Sequence, residues 1–196
     1  MPLNAPNSLT LLRILLIPVL VIVYYLPISG AHFYTTLIFI LGGVTDWLDG
    51  YLARRLNQHS AFGAFLDPVA DKLTVAAALV LVITDTRVID MVGVKEIFVI
   101  AAMIIIGREI VVSALREWMA ELGSRASVAV SVMGKFKTAG QMLAIGFLLF
   151  REPIFGLPVI KIGEILLYLA AALTLWSMVV YIRAAWPSLI SGKPLK

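Results

Sequence analysis

Four aspartates at regular spacing are the residues of this chain best suited to chemistry. Asp46 and Asp49 stand three positions apart, and Asp67 and Asp71 stand four apart a little further on. Residues three or four apart on a helix share one face, so each pair predicts an acidic stripe. Carboxylates held close together raise one another's pKa unless cations offset the charge. The spacing therefore predicts a cation-binding site on two consecutive helices.

Metal chemistry follows from the ligand type. Carboxylate oxygens suit Mg²⁺, Mn²⁺ or Ca²⁺ better than zinc or copper, and a metal pair is a known device for displacement at phosphorus. Small residues accompany the acids, Gly50 and Ala53 on the first stripe and Gly63 on the second, which leaves room for a ligand near the backbone. Arg54 adds a guanidinium fork that suits phosphate. We expect Arg54 and Lys72 to offset part of the acidic charge.

The composition indicates a membrane protein. Of 196 residues, 61% are hydrophobic and 14% charged, whereas about 25% of a soluble domain is charged. The apolar residues form continuous blocks of roughly 20, which predicts transmembrane helices and not the short alternating segments of a β-barrel. The absence of cysteine excludes thiol catalysis and disulfides. A net charge of +4 bears on orientation and anionic lipid more than on nucleic acid.

The blocks predict an all-α integral membrane protein, with six transmembrane helices in a single domain over residues 1–196. Basic residues are more frequent on the side of the termini, so the positive-inside rule places the termini and the carboxylates on the cytoplasmic side. A polar cavity is expected at that interface, and a polar loop over Asp85–Val94. The predicted spans are roughly Leu9–Leu26, Phe33–Asn57, Ser60–Thr84, Lys95–Leu122, Gly134–Phe150 and Ile162–Arg183.

Two other interpretations of the acids stay open. Asp46, Asp49 and Arg54 would also suit a solvated helix end with a surface ion pair, which contributes little to stability. Four acids and three small residues in register on neighbouring helices favour a binding site instead. A cation-coupled transporter is the other alternative, but it would distribute its carboxylates through the depth of the bilayer, and these lie at one end of their helices.

The acidic segment resembles the signature of the CDP-alcohol phosphotransferases, integral membrane enzymes of phospholipid synthesis. The family pattern D-x₂-D-G-x₂-A-R-x₈-G-x₃-D-x₃-D is matched without departure from Asp46 to Asp71. Residues 7–13, 107–110, 113–116 and 134–138 resemble the bacterial branch that makes phosphatidylglycerophosphate. The resemblance implies transfer of the phosphatidyl group from CDP-diacylglycerol to sn-glycerol 3-phosphate, with release of CMP. It also suggests a homodimer in the bacterial cytoplasmic (inner) membrane.

The resemblance also implies roles for individual residues at the matching positions. Asp46, Asp49 and Asp67 would be ligands of a divalent metal, Mg²⁺ or Mn²⁺, with two ions expected. Asp71 would lie at the same metal site and act as the general base. The residues that would hold the CDP moiety are Thr10, Arg13, Gly50, Ala53, Arg54 and Gly63.

An acceptor that carries its own phosphate needs a second basic cluster. Arg108 and Arg116 are eight positions apart on the fourth predicted span and so lie near one face, and Lys135 begins the fifth span. We expect these three to bind the acceptor phosphate, and we expect Glu109 not to offset Arg108. Ordinary positive-inside anchoring is the alternative for Arg116 and Lys135. The cluster favours a phosphorylated acceptor over serine, whereas glycerol phosphate is chosen over inositol phosphate by resemblance alone.

Overall fold

The computed structural model describes residues 5–56, 61–121 and 132–191. Across these residues the chain forms seven helices and no β-strand, which confirms the all-α prediction. The helices are α1 (Ala5–Tyr25), α2 (Ala31–Leu56), α3 (Ala61–Thr84), α4 (Thr86–Ile89), α5 (Lys95–Glu121), α6 (Val132–Phe150) and α7 (Val159–Ser191). The predicted connection over 57–60 lies outside the described residues.

Three helical segments are long and apolar enough to cross a membrane, Asn7–Tyr25, Lys95–Glu121 and Val159–Arg183. They support the membrane character of the chain. The other long helices occupy the remaining predicted spans but are interrupted by polar residues, in α2 and α3 around the acidic motif. In α6 the apolar part shortens to Thr138–Phe150. The number of six spans therefore stays a prediction.

The chain divides into two compact units, Met1–Val92 with Ile145–Gly163, and Gly93–Ala144 with Glu164–Lys196. Helices α6 and α7 each contribute to both units. The single domain over residues 1–196 stays a prediction.

In the first unit, α1 packs against both α2 and α3. Leu20 of α1, Phe39 of α2 and Leu79 of α3 are fully buried, whereas Leu15 and Ile40 are exposed. Burial of one stripe of each helix, with large apolar side chains on the outside, is what helices facing lipid require, because lipid solvates those side chains. Helix α1 is therefore the element that both acid-bearing helices contact.

A buried carboxylate fixes the end of this unit where α3 meets α4. Asp85 Oδ1 accepts hydrogen bonds of 2.9 Å from the backbone N–H and the Nε of Arg87. Its Oδ2 accepts from the Tyr24 hydroxyl and from Nη1 of Arg151, each over 2.6 Å. Burial alone would raise the pKa of Asp85, but the hydrogen bonds from Arg87, Tyr24 and Arg151 together hold it well below its usual range.

The prediction of a loop over Asp85–Val94 is wrong at the start of this segment. Asp85 has extended backbone angles, and its side chain caps the N-terminus of the short helix α4. The segment therefore begins with a helical turn. Other boundaries also differ from the prediction, since α1 begins at Ala5, α2 begins at Ala31 and α7 runs from Val159 to Ser191.

In the second unit, α5 and α7 run side by side in the same direction. Just before α5, the backbone N–H of Gly93 donates to Oε1 of Glu164 over 2.9 Å. Near the far end of α5, Met119 and Ala185 are fully buried in one apolar cluster. Because the contacts occur in the same order along both helices, the two are parallel neighbours.

Candidate active site

The two acids of α2 meet a cation on α1. Arg13 Nη1 donates to Oδ1 of Asp46 over 2.7 Å, and Nη2 donates to Oδ2 of Asp49. Arg13 is 1% exposed and Asp49 is 4% exposed, whereas the side chain of Asp46 is half-exposed. A planar guanidinium can bridge two carboxylates in this way because its donors are fixed in a fork. The predicted acidic stripe therefore exists, and Arg13 neutralises part of its charge.

The first acid of α3 is also held by α1. Thr10 donates from its hydroxyl to Oδ1 of Asp67 over 2.6 Å. Thr10 and Arg13 are three positions apart and so lie on one face of α1. Since that face contacts acids on two different helices, α1 brings the two predicted stripes together.

Asp71 lies one turn after Asp67 on α3, and its side chain is exposed. Gly63, at the start of α3, is buried, and Gly50 on α2 is partly buried. Both glycines lie near the acids along their helices. The side chains of Ala53 and Arg54 lie outside the described part of the chain. The side chain of the last acid of the motif is therefore accessible from outside the helices.

The cation that pairs with the acids of α2 is Arg13, whereas the sequence predicted Arg54 and Lys72 in this role. Lys72 was expected to offset the acids, but its ammonium donates to the backbone oxygen of Pro68 over 3.0 Å. Arg13 was expected only beside the CDP moiety. The signal for its role was present, because an arginine inside an apolar span needs an acidic partner. Its partners are 33 and 36 positions away, too far for periodicity to identify them.

The types and positions of the acidic side chains indicate whether they could hold a metal ion. Among the described side chains, no three acidic, histidine or cysteine groups are already arranged to hold a metal ion. Arg13 occupies part of the space between Asp46 and Asp49. The donors themselves are carboxylate oxygens, which suit a hard divalent cation. The half-exposed Asp46 and the exposed Asp71 leave such an ion a route to them, so the residues present fit the group by their chemistry.

The predicted acceptor cluster lies in the second unit. Arg108 is 7% exposed, and its Nη2 lies 3.0 Å from Oε1 of Glu109. The expectation that Glu109 would not offset Arg108 is therefore wrong, because long side chains on adjacent positions can meet although their Cβ atoms point 100° apart. Arg116 is exposed and lies over the ring of Tyr181, 5.3 Å from its centroid. The side chain of Lys135 lies outside the described residues.

Comparison with known proteins assigns the chain to a family. The profile of the CDP-alcohol phosphatidyltransferases matches residues 3–176. The chain belongs to the CDP-alcohol phosphatidyltransferase family. Because this match includes both acidic stripes, the family resemblance of the motif is confirmed.

Relatives of similar length share about half of the residues. A protein of Haemophilus influenzae is 53% identical over 193 residues, which cover 98% of each chain. Proteins of Shigella flexneri serotype 5b and Escherichia coli K12 are each 50% identical over 190 residues, 97% of this chain and 99% of theirs. All three carry the name CDP-diacylglycerol–glycerol-3-phosphate 3-phosphatidyltransferase. The similarity therefore extends over both units.

Proposed function

We propose that this CDP-alcohol phosphatidyltransferase moves the phosphatidyl group of CDP-diacylglycerol to sn-glycerol 3-phosphate. The products are phosphatidylglycerophosphate and CMP, so the enzyme acts in phospholipid synthesis. The observation that carries the proposal is that relatives with this activity in their names are 50–53% identical over at least 97% of the chain. The acids gathered around α1 are the groups that such a reaction needs.

The four acids are proposed to hold a divalent cation, Mg²⁺ or Mn²⁺, with two ions expected. Its ligands would be Asp46, Asp49, Asp67 and Asp71. A bound cation would offset the negative charge on the diphosphate and on the departing CMP. Arg13 supplies a fixed positive charge beside two of these ligands. Arg13 therefore offsets part of the negative charge that these ligands bring together.

Asp71 is proposed as the general base. An acceptor hydroxyl attacks the β-phosphorus, a new P–O bond forms, and the bond from that phosphorus to the oxygen of CMP breaks. The bonding electrons leave with CMP, and the hydroxyl proton passes to Asp71. An exposed carboxylate can take this proton from an acceptor that arrives from water, when its oxygen comes within about 2.6–3.2 Å of the hydroxyl.

The nucleotide end of the donor is proposed to lie along the motif and α1. Small residues let the diphosphate and ribose approach the backbone, and hydroxyl and guanidinium groups donate to phosphate. Because Thr10 and Arg13 already contact the acids, binding of the CDP moiety would share or replace those contacts. The proposed CDP-binding residues are Thr10, Arg13, Gly50, Ala53, Arg54 and Gly63.

The acceptor phosphate is proposed to bind Arg108, Arg116 and Lys135. A dianionic phosphate needs several donors, and guanidinium groups provide them in pairs. The buried position of Arg108 supports this role, because a surface anchor would be exposed. Inositol phosphate or serine as the acceptor, and a cation-coupled transporter outside this class, are the alternatives that the assay below must exclude.

The placement of the enzyme belongs to the same proposal. It would cross the bacterial cytoplasmic membrane six times, with its termini and a polar cavity on the cytoplasmic side, where both CMP and glycerol 3-phosphate are soluble. The excess of basic residues on the side of the termini supports this orientation. We also propose a homodimer, which the family resemblance suggests; Ala170 and Ala171 of α7 suit close packing of helices but are buried within the chain itself. Cysteine labelling from each side of the membrane, and the mass of the protein in detergent, would test these points.

One assay tests the activity. Purified protein in detergent is given CDP-diacylglycerol, Mg²⁺ or Mn²⁺ and one acceptor at a time, and CMP release and the lipid product are both measured. We expect product with glycerol 3-phosphate, little with inositol phosphate or serine, and none after chelation of the metal. An excess of metal added back should restore the rate. No CMP release with any acceptor would refute the enzymatic function, and release with a different acceptor would refute the choice of glycerol 3-phosphate.

A further inference from the structure

Three buried side chains of the second unit carry polar atoms that make no hydrogen bond within the described part of the chain, and two of these side chains offer donors. The donors are Nε and Nη2 of Arg108 and the hydroxyl of Thr174, whereas the third side chain offers the acceptor Oε1 of Gln141. Nη2 of Arg108 also lies 3.0 Å from Oε1 of Glu109, as an ion pair without hydrogen-bond geometry. Arg108 is 7% exposed and Thr174 is not exposed at all. A buried polar group without a partner destabilises the fold, and a charged group does so more. The two side chains with buried donors therefore indicate a ligand that supplies acceptor atoms.

Thr174 differs from the other buried threonines that the structure describes. In a helix a threonine hydroxyl usually bonds the carbonyl one turn earlier, and Thr35 does so with Ala31 over 2.7 Å. Thr36 and Thr74 bond the corresponding carbonyls of their own helices, and Thr10 bonds Asp67. Only the Thr174 hydroxyl, among these buried threonines, makes neither kind of bond. Its proton is therefore available to something outside α7.

The register of α5 and α7 brings the two groups to the same level. Met119 and Ala185 pack in one cluster. Eleven residues make almost three full helical turns, and eleven residues before Met119 and Ala185 stand Arg108 and Thr174. The parallel helices are in contact on both sides of this level, at Gly93 and Glu164 and again at the end of α5.

Helical spacing also aligns the faces. Thr174 precedes Tyr181 by seven positions, and Arg108 precedes Leu115 by seven, so each shares a helix face with a residue that packs against the cluster of Met119 and Ala185. The atoms Nε and Nη2 form one edge of the guanidinium, and that edge can bind two oxygens of one phosphate side by side. The Thr174 hydroxyl adds a third donor at the same level.

We propose that Arg108 and Thr174 form one subsite, between α5 and α7, for the phosphate monoester of the acceptor. This inference rests on the proposed function and adds to it a donor that bears no charge. Two N–H groups and one O–H meet the phosphate. Glu109, 3.0 Å from Nη2 of Arg108, balances the guanidinium when no acceptor is bound. Thr174 is thus a positioning residue for the acceptor and is not assigned to the chemical step.

Substitution of the hydroxyl provides the test. Thr174→Val keeps the shape and removes the donor, Thr174→Ser restores the donor, and Arg108→Lys keeps the charge but loses the fork. Thr35→Val is the matched control, since Thr35 is equally buried and its hydroxyl bonds its own helix. We measure KM for each substrate, and also the shift in melting temperature caused by glycerol 3-phosphate, inorganic phosphate or glycerol.

We expect Thr174→Val to raise the KM for glycerol 3-phosphate about tenfold, the loss of one hydrogen bond to a charged group, with the KM for CDP-diacylglycerol unchanged. Arg108→Lys should raise the same KM further. Glycerol 3-phosphate and, more weakly, phosphate should raise the melting temperature of the wild type, and glycerol should not. That shift should shrink in Thr174→Val and return in Thr174→Ser, whereas Thr35→Val should match the wild type.

The melting temperature of the ligand-free protein distinguishes a role of the Thr174 hydroxyl in acceptor binding from a role in folding. Because the hydroxyl has no partner in the described chain, Thr174→Val should melt at the same temperature as the wild type or higher. A lower melting temperature with unchanged acceptor KM would overturn the subsite and assign the hydroxyl to folding. Wild-type protein that binds phosphate through Thr174 but releases no CMP would refute the proposed function and leave the subsite standing.

Discussion

Arg13 lies 2.7 Å from Asp46, and this contact joins the first helix to the first acid of the motif. The same guanidinium reaches Asp49, and Thr10 on the same face of α1 reaches Asp67. The acids are thus held by a helix outside the motif.

Arg13→Lys should lower kcat/KM for CDP-diacylglycerol by about 10–100-fold, because one compact ammonium cannot replace two parallel hydrogen bonds to separate carboxylates. Activity at saturating metal and a melting curve measure the effect. Arg55→Lys is the matched control, since Arg55 is exposed and donates to the hydroxyl of Tyr51. Equal losses in both variants would show that the bridge to the acids has no special role.

Asp71→Asn should abolish turnover while leaving metal and CDP-diacylglycerol binding largely intact. An amide cannot take a proton from the acceptor, so the expected loss is at least 100-fold, as for removal of a general base. Lipid and metal affinity are measured on the same preparation. Asp90→Asn, an exposed acid outside the motif, should keep full activity. Lost metal binding in Asp71→Asn would make Asp71 a ligand first.

Arg116→Ala should raise the KM for the acceptor about tenfold or more and leave the KM for the lipid unchanged, because one charge-assisted contact is lost. Its guanidinium packs on Tyr181, and Nη2 lies 3.4 Å from that hydroxyl. Tyr181→Phe keeps the ring and separates this packing from phosphate binding. If both KM values rise equally, Arg116 anchors the helix and does not bind acceptor.

Asp85→Asn should destabilise the protein by about 3–5 kcal/mol at neutral pH, because it leaves the buried Arg151 without its counter-charge. The pKa of Asp85 lies below its unfolded value of about 3.9. Its contribution is therefore complete above that pH and is lost as the pH falls from about 4 toward the folded pKa. Melting temperatures of wild type and variant should converge over this range, and a gap that persists at low pH would contradict the assignment.

The arrangement of the acids on two helix faces could be predicted because their spacing is local in the sequence. The three- and four-residue spacing of the acids reports helix faces directly, and it identified both stripes that α1 contacts. The cation between them was missed because Arg13 is distant in sequence and no periodicity links it to Asp46. The same reasoning assigned Arg108 to the acceptor phosphate, which stays a prediction, and it misjudged Glu109, since the reach of a side chain is not contained in the angle between two positions.

The fold shows the same contrast between features that are local in the sequence and features that depend on tertiary contacts. Apolar blocks predicted the long helices, because burial in lipid depends on composition over a whole segment. Capping of α4 by Asp85 was missed, because a four-residue helix has no apolar period and forms only where tertiary contacts hold its cap. It also could not be predicted that the Thr174 hydroxyl makes no hydrogen bond to its own helix, because a threonine in a helix ordinarily does so.

The contact between Arg13 and the two acids of α2 has a consequence for biosynthesis. An arginine within an apolar segment enters a bilayer at a cost of about 2.5–3.5 kcal/mol when it is alone. Its neutralising partners are synthesised 33 and 36 residues later. The first helix therefore meets its counter-charges only after the second has been synthesised, and we expect the two to be more stable in lipid as a hairpin than α1 is alone.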